Sequence, residues 1–198
     1  MYTVHGSVRS RTARVLWMLE EIGQPYEHRD AAPRSPEVKA LNPSGRVPVL
    51  VDGDEVLTDS VAIMTYLADR HGVLTHPAGT QARARQDAIT HMILDQFDAI
   101  LWAAAKHSFV LPEEERRPEV KEGLRLEMAR SERELEGVLE RSGGPWLMGE
   151  TFLLCDVLAA HCLGWAATAQ MGVKSDALRD YAERARARPA FERAMAAG

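Results

Sequence analysis

Asn42-Pro43-Ser44-Gly45-Arg46-Val47-Pro48-Val49-Leu50 is followed, nine residues on, by Asp59-Ser60. Asn-Pro-Ser-Gly reads as a turn, Val47-Pro48 as the entrance to a buried strand, and Asp59-Ser60 as the start of a helix. Proline alone makes a cis peptide cheap, about 0.5–1 kcal/mol above trans. A cis bond here turns the Val47 N–H and C=O outward, where they can pair with a peptide as a neighbouring strand would. An ordinary trans proline at a strand entrance is the alternative. Asp59 and Ser60 are both good N-caps, which is their plain reading. They also suit an amino-acid head group, whose carboxylate would meet the positive end of the helix and whose ammonium would meet Asp59.

Upstream, Tyr2 to His5 is β-prone and Gly6-Ser7 breaks the run. Arg11 to Ile22 has helical spacing, with Val15, Leu16, Leu19 and Ile22 on one face. Gly23 ends that helix, Pro25 prevents its return, and Tyr26 to Arg29 is a second strand parallel to the first. Ser35 caps a short helix through Leu41, and Val47 to Val51 is the next strand. Asp52-Gly53-Asp54 is a hairpin turn into a return strand, Glu55 to Leu57. The helix after Asp59-Ser60 closes at Gly72. The order β-α-β-α-β-β-α is a thioredoxin-like layout. Residues 74–81 read as a linker between a domain at 1–73 and an all-helical domain at 82–198.

The charge balance is mild, 24 Lys and Arg against 29 Asp and Glu, and neither half is strongly basic. A nucleic-acid partner is not supported. Cys155 and Cys162 lie two helical turns apart, about 10 Å of rise, too far for a disulfide within one helix. They read as buried thiols in a reducing compartment. No signal peptide and no membrane-spanning run is seen, so the expectation is a cytoplasmic protein with no membrane partner. The 7 histidines lack metal-ligand spacing, so no metal is expected.

The loop Ser7-Val8-Arg9-Ser10-Arg11 precedes the first helix and holds no cysteine. Thiol–disulfide exchange by the protein is therefore not expected, and a thiol has to come with the ligand. A thiolate at this helix start gains about 0.3–1 kcal/mol from the dipole. A serine hydroxyl adds about 1.5–3 kcal/mol as a donor to a charged acceptor. Together they can raise a thiol's acidity roughly ten- to a hundredfold. Simple capping of the first helix is the alternative use of these serines. Glutathione carries an amino-acid head, a thiol and a terminal carboxylate, and fits all three elements.

The chain resembles the cytosolic glutathione transferases, in particular bacterial, serine-type, theta-like members. The resemblance rests on Ser10-Arg11-Thr12-Ala13-Arg14-Val15-Leu16-Trp17-Met18-Leu19-Glu20-Glu21-Ile22-Gly23, on the run 42–50, and on Asp59-Ser60-Val61-Ala62-Ile63. It implies a thioredoxin-like glutathione-binding domain and an all-α C-terminal domain. It implies that Val47 pairs with the cysteinyl backbone of glutathione before a cis Pro48, that Asp59 and Ser60 hold the γ-glutamyl end, and that Arg46 reaches the glycyl carboxylate. Ser10 matches the thiol-activating serine, with Ser7 as competitor. The implied activity is attack of the glutathione thiolate on a small hydrophobic electrophile, a detoxifying transfer, by a homodimer. A non-catalytic binding or dimerisation module is the rival reading. A glutathione-dependent isomerase, peroxidase or dehalogenase is a third. Trp102, His107 and Phe109 are candidates for the walls of the second-substrate pocket, with ordinary core or surface packing as the alternative for each. One departure stands out: Leu153 replaces the Thr or Ser expected three residues before Asp156, which should weaken that helix cap by about 1 kcal/mol unless Thr151 takes over.

Overall fold

The computed structural model describes residues 1–197. Two compact units divide it: Met1–Thr80 joined by the chain from Arg186 onward, and Gln81–Ala185.

In the first unit, β1 (Tyr2–His5), α1 (Thr12–Ile22), β2 (Tyr26–Arg29), α2 (Pro36–Leu41), β3 (Val49–Asp52), β4 (Glu55–Thr58) and α3 (Ser60–His71) follow the expected order. The sheet runs β2-β1-β3-β4, with β1 parallel to β2 and antiparallel to β3, and β3 antiparallel to β4. This is the thioredoxin-like arrangement. The turn Gly53-Asp54 closes the β3–β4 hairpin, with Gly53 at φ 61° where a side chain would be strained. Strand pairing begins at Val49 and not at Val47, because Val49 is the first residue set opposite both His5 and Thr58.

Val4, Val15, Leu16, Met18, Leu19, Leu50, Ile63, Met64 and Leu67 are wholly buried and form the core between the sheet and its helices. Each such side chain contributes about 1.5–3 kcal/mol of transfer energy. The sequence gives α1 one apolar face, yet every residue from Thr12 to Leu19 is buried while Ile22 is only half so. The cause is α9 (Pro189–Ala196), which packs along α1. Trp17 meets Phe191 edge-on with ring centroids 4.8 Å apart. The Arg188 guanidinium grips both Glu21 carboxylate oxygens at 2.6 and 2.7 Å, a bidentate pair, and Arg193 reaches Glu20 at 2.6 Å.

The second unit is helical throughout. Its first helix, α4 (Gln81–Ile93), passes through a π-helical turn at Leu94–Asp98 into α5 (Ala99–Ala105) and a second π turn at Lys106–Val110. Then come a short 3₁₀ turn (Glu113–Glu115), α6 (Val120–Ser142), α7 (Leu154–Thr168) and α8 (Asp176–Arg186). The apolar α7 is buried on nearly all sides, and it carries Cys155 and Cys162 as free thiols in the core.

The missing side-chain cap at Leu153 is made up by Asp156 in the first turn of α7 and not by Thr151. Thr151 is exposed and takes no part. The wholly buried Asp156 instead accepts hydrogen bonds from the Leu153 N–H (2.8 Å), the Leu147 N–H (2.9 Å) and the Tyr181 hydroxyl (2.8 Å). A leucine side chain accepts nothing, so only the carboxylate half of a capping box is made. One side chain thus ties the α7 start to the preceding loop and to α8. Burial first, and then the Asp156 charge, push the Tyr181 phenol well above its ordinary pKa, so it remains a donor. Asp156→Ala is expected to lower stability by roughly 3 kcal/mol or more, and Tyr181→Phe by about 1–2 kcal/mol, in urea denaturation.

Candidate functional site

The pairing of the sheet gathers the three motifs at one end. β1 leaves the sheet at His5, β3 enters opposite it at Val49, and β4 leaves opposite Val49 at Thr58. The loop 6–11, the Val47-Pro48 bond and the Asp59-Ser60 pair are therefore neighbours by topology. Gly6, at φ 133°, makes the approach close. A Cβ on it would run into Thr12 Oγ1 and stand 2.9 Å from Val47 Cβ, so only glycine fits.

Val47-Pro48 is cis. Pro48 is buried and Val47 half-buried, and neither the N–H nor the C=O of Val47 has a hydrogen-bond partner among the described residues. The preceding loop is fixed by its own bonds. Asn42 Nδ2 donates to the Arg46 carbonyl (2.9 Å), Asn42 Oδ1 accepts from Ser44 N (3.2 Å), and Arg34 N donates to the Gly45 carbonyl (2.8 Å). The Arg46 side chain is exposed at the outer edge of this loop.

Asp59 is the N-cap of α3: its Oδ1 accepts from Val61 N at 2.9 Å and Ala62 N at 3.0 Å. That use leaves Oδ2 for a ligand cation, and of the first three N–H groups of α3 only that of Ser60 is left outside the cap. Asp59 holds an unusual φ of 70°, which turns the chain from β4 into α3. Ser60 is buried, and its Oγ accepts from Arg14 Nη1 at 3.2 Å. Arg14 is wholly buried on α1. The α3 dipole makes the Ser60 side of this corner positive, while Asp59 makes the other side negative. An amino-acid zwitterion finds a counter-charge for each end.

In the first loop, Ser10 Oγ lies 2.6 Å from the Ser7 carbonyl and 2.9 Å from Thr12 Oγ1, and accepts from Thr12 N at 3.2 Å. A hydroxyl has one proton, and the carbonyl takes it. Ser10 therefore fastens the loop to the start of α1. The N–H groups of Ala13 and Arg14 are satisfied by the Ser10 and Arg11 carbonyls. Ser7 Oγ accepts from Arg9 N at 3.3 Å and keeps its own proton uncommitted among the described residues. Both serines are half-buried.

Sequence reasoning placed Ser10, Arg46, Val47, Pro48, Asp59 and Ser60 in the site, and all belong to the segments that meet at this end of the sheet. It missed Gly6, Thr12 and Arg14. Gly6 directly before the loop was the available signal for a close backbone approach; an arginine inside an amphipathic helix gives none. Among the described residues there is no cluster suited to a metal ion, and no helix is long and apolar enough to cross a membrane. Trp102 and His107 are half-buried and Phe109 is exposed, with His107 and Phe109 in the second π turn.

Residues 2–78 match the family described as "Glutathione S-transferase, N-terminal domain". A glutathione S-transferase of Triticum aestivum is 43% identical over 65 residues, 32% of this chain and 30% of that protein. The chain thus spans about a third of the length of that curated relative in the match. A solved glutathione transferase from Methylococcus capsulatus str. Bath is 27% identical with a TM-score of 0.85, over 100% of this chain and 98% of that one. A glutathione transferase family member from Pseudomonas fluorescens Pf-5, solved with two glutathione bound, shares the fold at 23% identity and a TM-score of 0.83, over 98% of this chain and 92% of its own. The fold is that of the glutathione transferases, and the family match lies within residues 2–78.

Replacing the α3 cap ranks three substitutions. Asp59→Ala is expected to lower stability by about 1 kcal/mol. Asp59→Gly should lose less, because glycine adopts the φ of 70° freely, and Asp59→Asn should stay near the parent because its side-chain oxygen still caps. Urea denaturation of the three variants checks the order.

Proposed function

We propose that this chain is a glutathione transferase that binds glutathione in its N-terminal domain, residues 1–73, and activates the thiol as thiolate. The observation that carries the proposal is the meeting, at one end of the sheet, of an unpaired strand-edge backbone at Val47, a zwitterion corner at Asp59-Ser60 and a serine-bearing helix start. Val47 pairs with the cysteinyl backbone beside Pro48. Ser60 N–H and the α3 dipole take the γ-glutamyl carboxylate, Asp59 takes its ammonium, and Arg46 takes the glycyl carboxylate. The glutathione bound in the Pseudomonas fluorescens protein of the same fold is consistent with this. The bacterial, serine-type, theta-like subclass, the small hydrophobic electrophile, a role in detoxification, a homodimer and a cytoplasmic location complete the reading.

Ser10 is the proposed hydrogen-bond donor to the thiolate. Its O–H must turn from the Ser7 carbonyl to the sulfur, a rotation about one bond. Ser7 is the second reading, favoured by its uncommitted proton. Ser10→Ala is expected to reduce turnover of an aromatic halide about tenfold, with glutathione affinity changed only a few-fold and the bound thiol less acidic by a similar factor. Ultraviolet titration of the bound thiolate and calorimetry of glutathione binding measure the two effects. If Ser7→Ala alone moves the thiol, the role passes to Ser7. If neither does, serine activation is wrong. A chain that neither binds immobilised glutathione nor turns over the halide would be the non-catalytic module instead.

A further inference from the structure

His28 sits on β2, the edge strand, on the same face as Tyr26. Its Nε2 is 2.7 Å from the Gly6 carbonyl oxygen and its Nδ1 is 2.8 Å from the Ala197 carbonyl oxygen. Both partners are carbonyl oxygens, which accept hydrogen bonds and never donate them. A neutral imidazole has one N–H and would turn a lone pair toward the second carbonyl; only the imidazolium donates to both. Gly6 is the residue whose close approach sets the first loop against Val47, and Ala197 follows α9.

We propose that His28 is a charged clasp and a positioning residue. One ring nitrogen fixes Gly6 at the root of the Ser7–Ser10 loop, and the other fastens the turn after α9 while the ring is doubly protonated. Several charges of the surrounding elements are paired with one another. On α1 and α9, Glu20 pairs with Arg193 and Glu21 with Arg188, and Tyr26 on the same face of β2 donates to Glu20. On the opposite face of β2, Glu27 pairs with Arg29. Arg14 of α1, Glu192 of α9, Asp30 after β2, and Arg9 and Arg11 of the loop are the other charged groups of these segments. When the ring releases one proton to water, one carbonyl must be given up. The Ala197 contact is exposed, so water can replace the ring there, while the Gly6 contact is partly buried and is kept. The neutral ring is then the Nε2–H tautomer, which holds the loop and releases Ala197.

The positioning half rests on the glutathione reading of the loop; the clasp does not. Nitrogen-15 spectra of the whole chain, taken across the range in which imidazole titrates, report the protonation of each ring nitrogen. Both His28 nitrogens should carry protons at the acid end, and Nε2 alone at the alkaline end. Amide exchange in the last turn of α9 should quicken several-fold with the same midpoint, and His28→Ala should remove that break. His28→Gln, with an amide donor for Gly6, should keep more aromatic-halide turnover than His28→Ala. A ring that never carries two protons, or an exchange break that survives in His28→Ala, overturns the clasp. Equal turnover in the two variants overturns the positioning role. Should His28→Ala fail to fold, the agreement or disagreement of the two parent midpoints decides. Absence of glutathione turnover in the parent defeats the proposed function, and the spectra still decide the clasp.

Discussion

The close approach at Gly6 is the constraint on which the ligand end of the first unit depends. A side chain there would have to displace Thr12 on α1 and Val47 beside the cis proline. Either displacement separates the loop that carries the serines from the backbone that would hold a peptide. The position is fixed from several sides. Gly6 N donates to the Arg29 carbonyl at 3.0 Å, its carbonyl accepts from His28, and β1 on its N-terminal side is a strand with neighbours on both edges. A flexible residue is thus held rigidly, which is what close positioning of a reacting group requires.

The electrostatics of the corner follow from the α3 start and its cap. Arg14 has no access to solvent and fixes Ser60 by donating a hydrogen bond to its Oγ. The α3 start puts its partial positive charge in the same place. Asp59 cannot neutralise this fully, because one of its oxygens is spent on two helix N–H groups. The result is a separated pair of charges at a helix start, which a zwitterion matches and a simple anion or cation does not.

Features whose cause lies within a few residues were legible in the sequence. Gly23 and Gly72 stop their helices with φ of 73° and 65°, Ser35 caps α2, and the Gly53-Asp54 turn sets the β3–β4 register. Of the site, the motifs around Val47, Asp59 and the first loop could be found because turn, cap and proline chemistry are local. What could not be read was set by partners far along the chain. Arg14 meets Ser60, 46 residues away, and α1 is covered by α9, before which Arg188 grips Glu21, 167 residues away. The Leu153 departure looked like a weak cap because the Tyr181 and Leu147 bonds that fix Asp156 are invisible to a reading of the α7 start alone. The π turns at Leu94–Asp98 and Lys106–Val110 leave the apolar spacing of a long helix almost unchanged, so periodicity passes over them.

The first loop also constrains which form of a sulfur it can favour. The Ser10 proton already has a carbonyl acceptor at 2.6 Å. A neutral thiol is a poor acceptor and cannot draw that proton away. A thiolate can, because a hydrogen bond to a charged acceptor contributes about 1.5–3 kcal/mol, against about 0.5–1.5 kcal/mol for a neutral one. The difference, about 1–1.5 kcal/mol, is roughly tenfold in acidity. The occupied hydroxyl is therefore no obstacle to thiol activation. In the proposed reading it would leave the loop indifferent to the thiol and responsive to the anion, so that the stabilisation would fall on the ionised state alone.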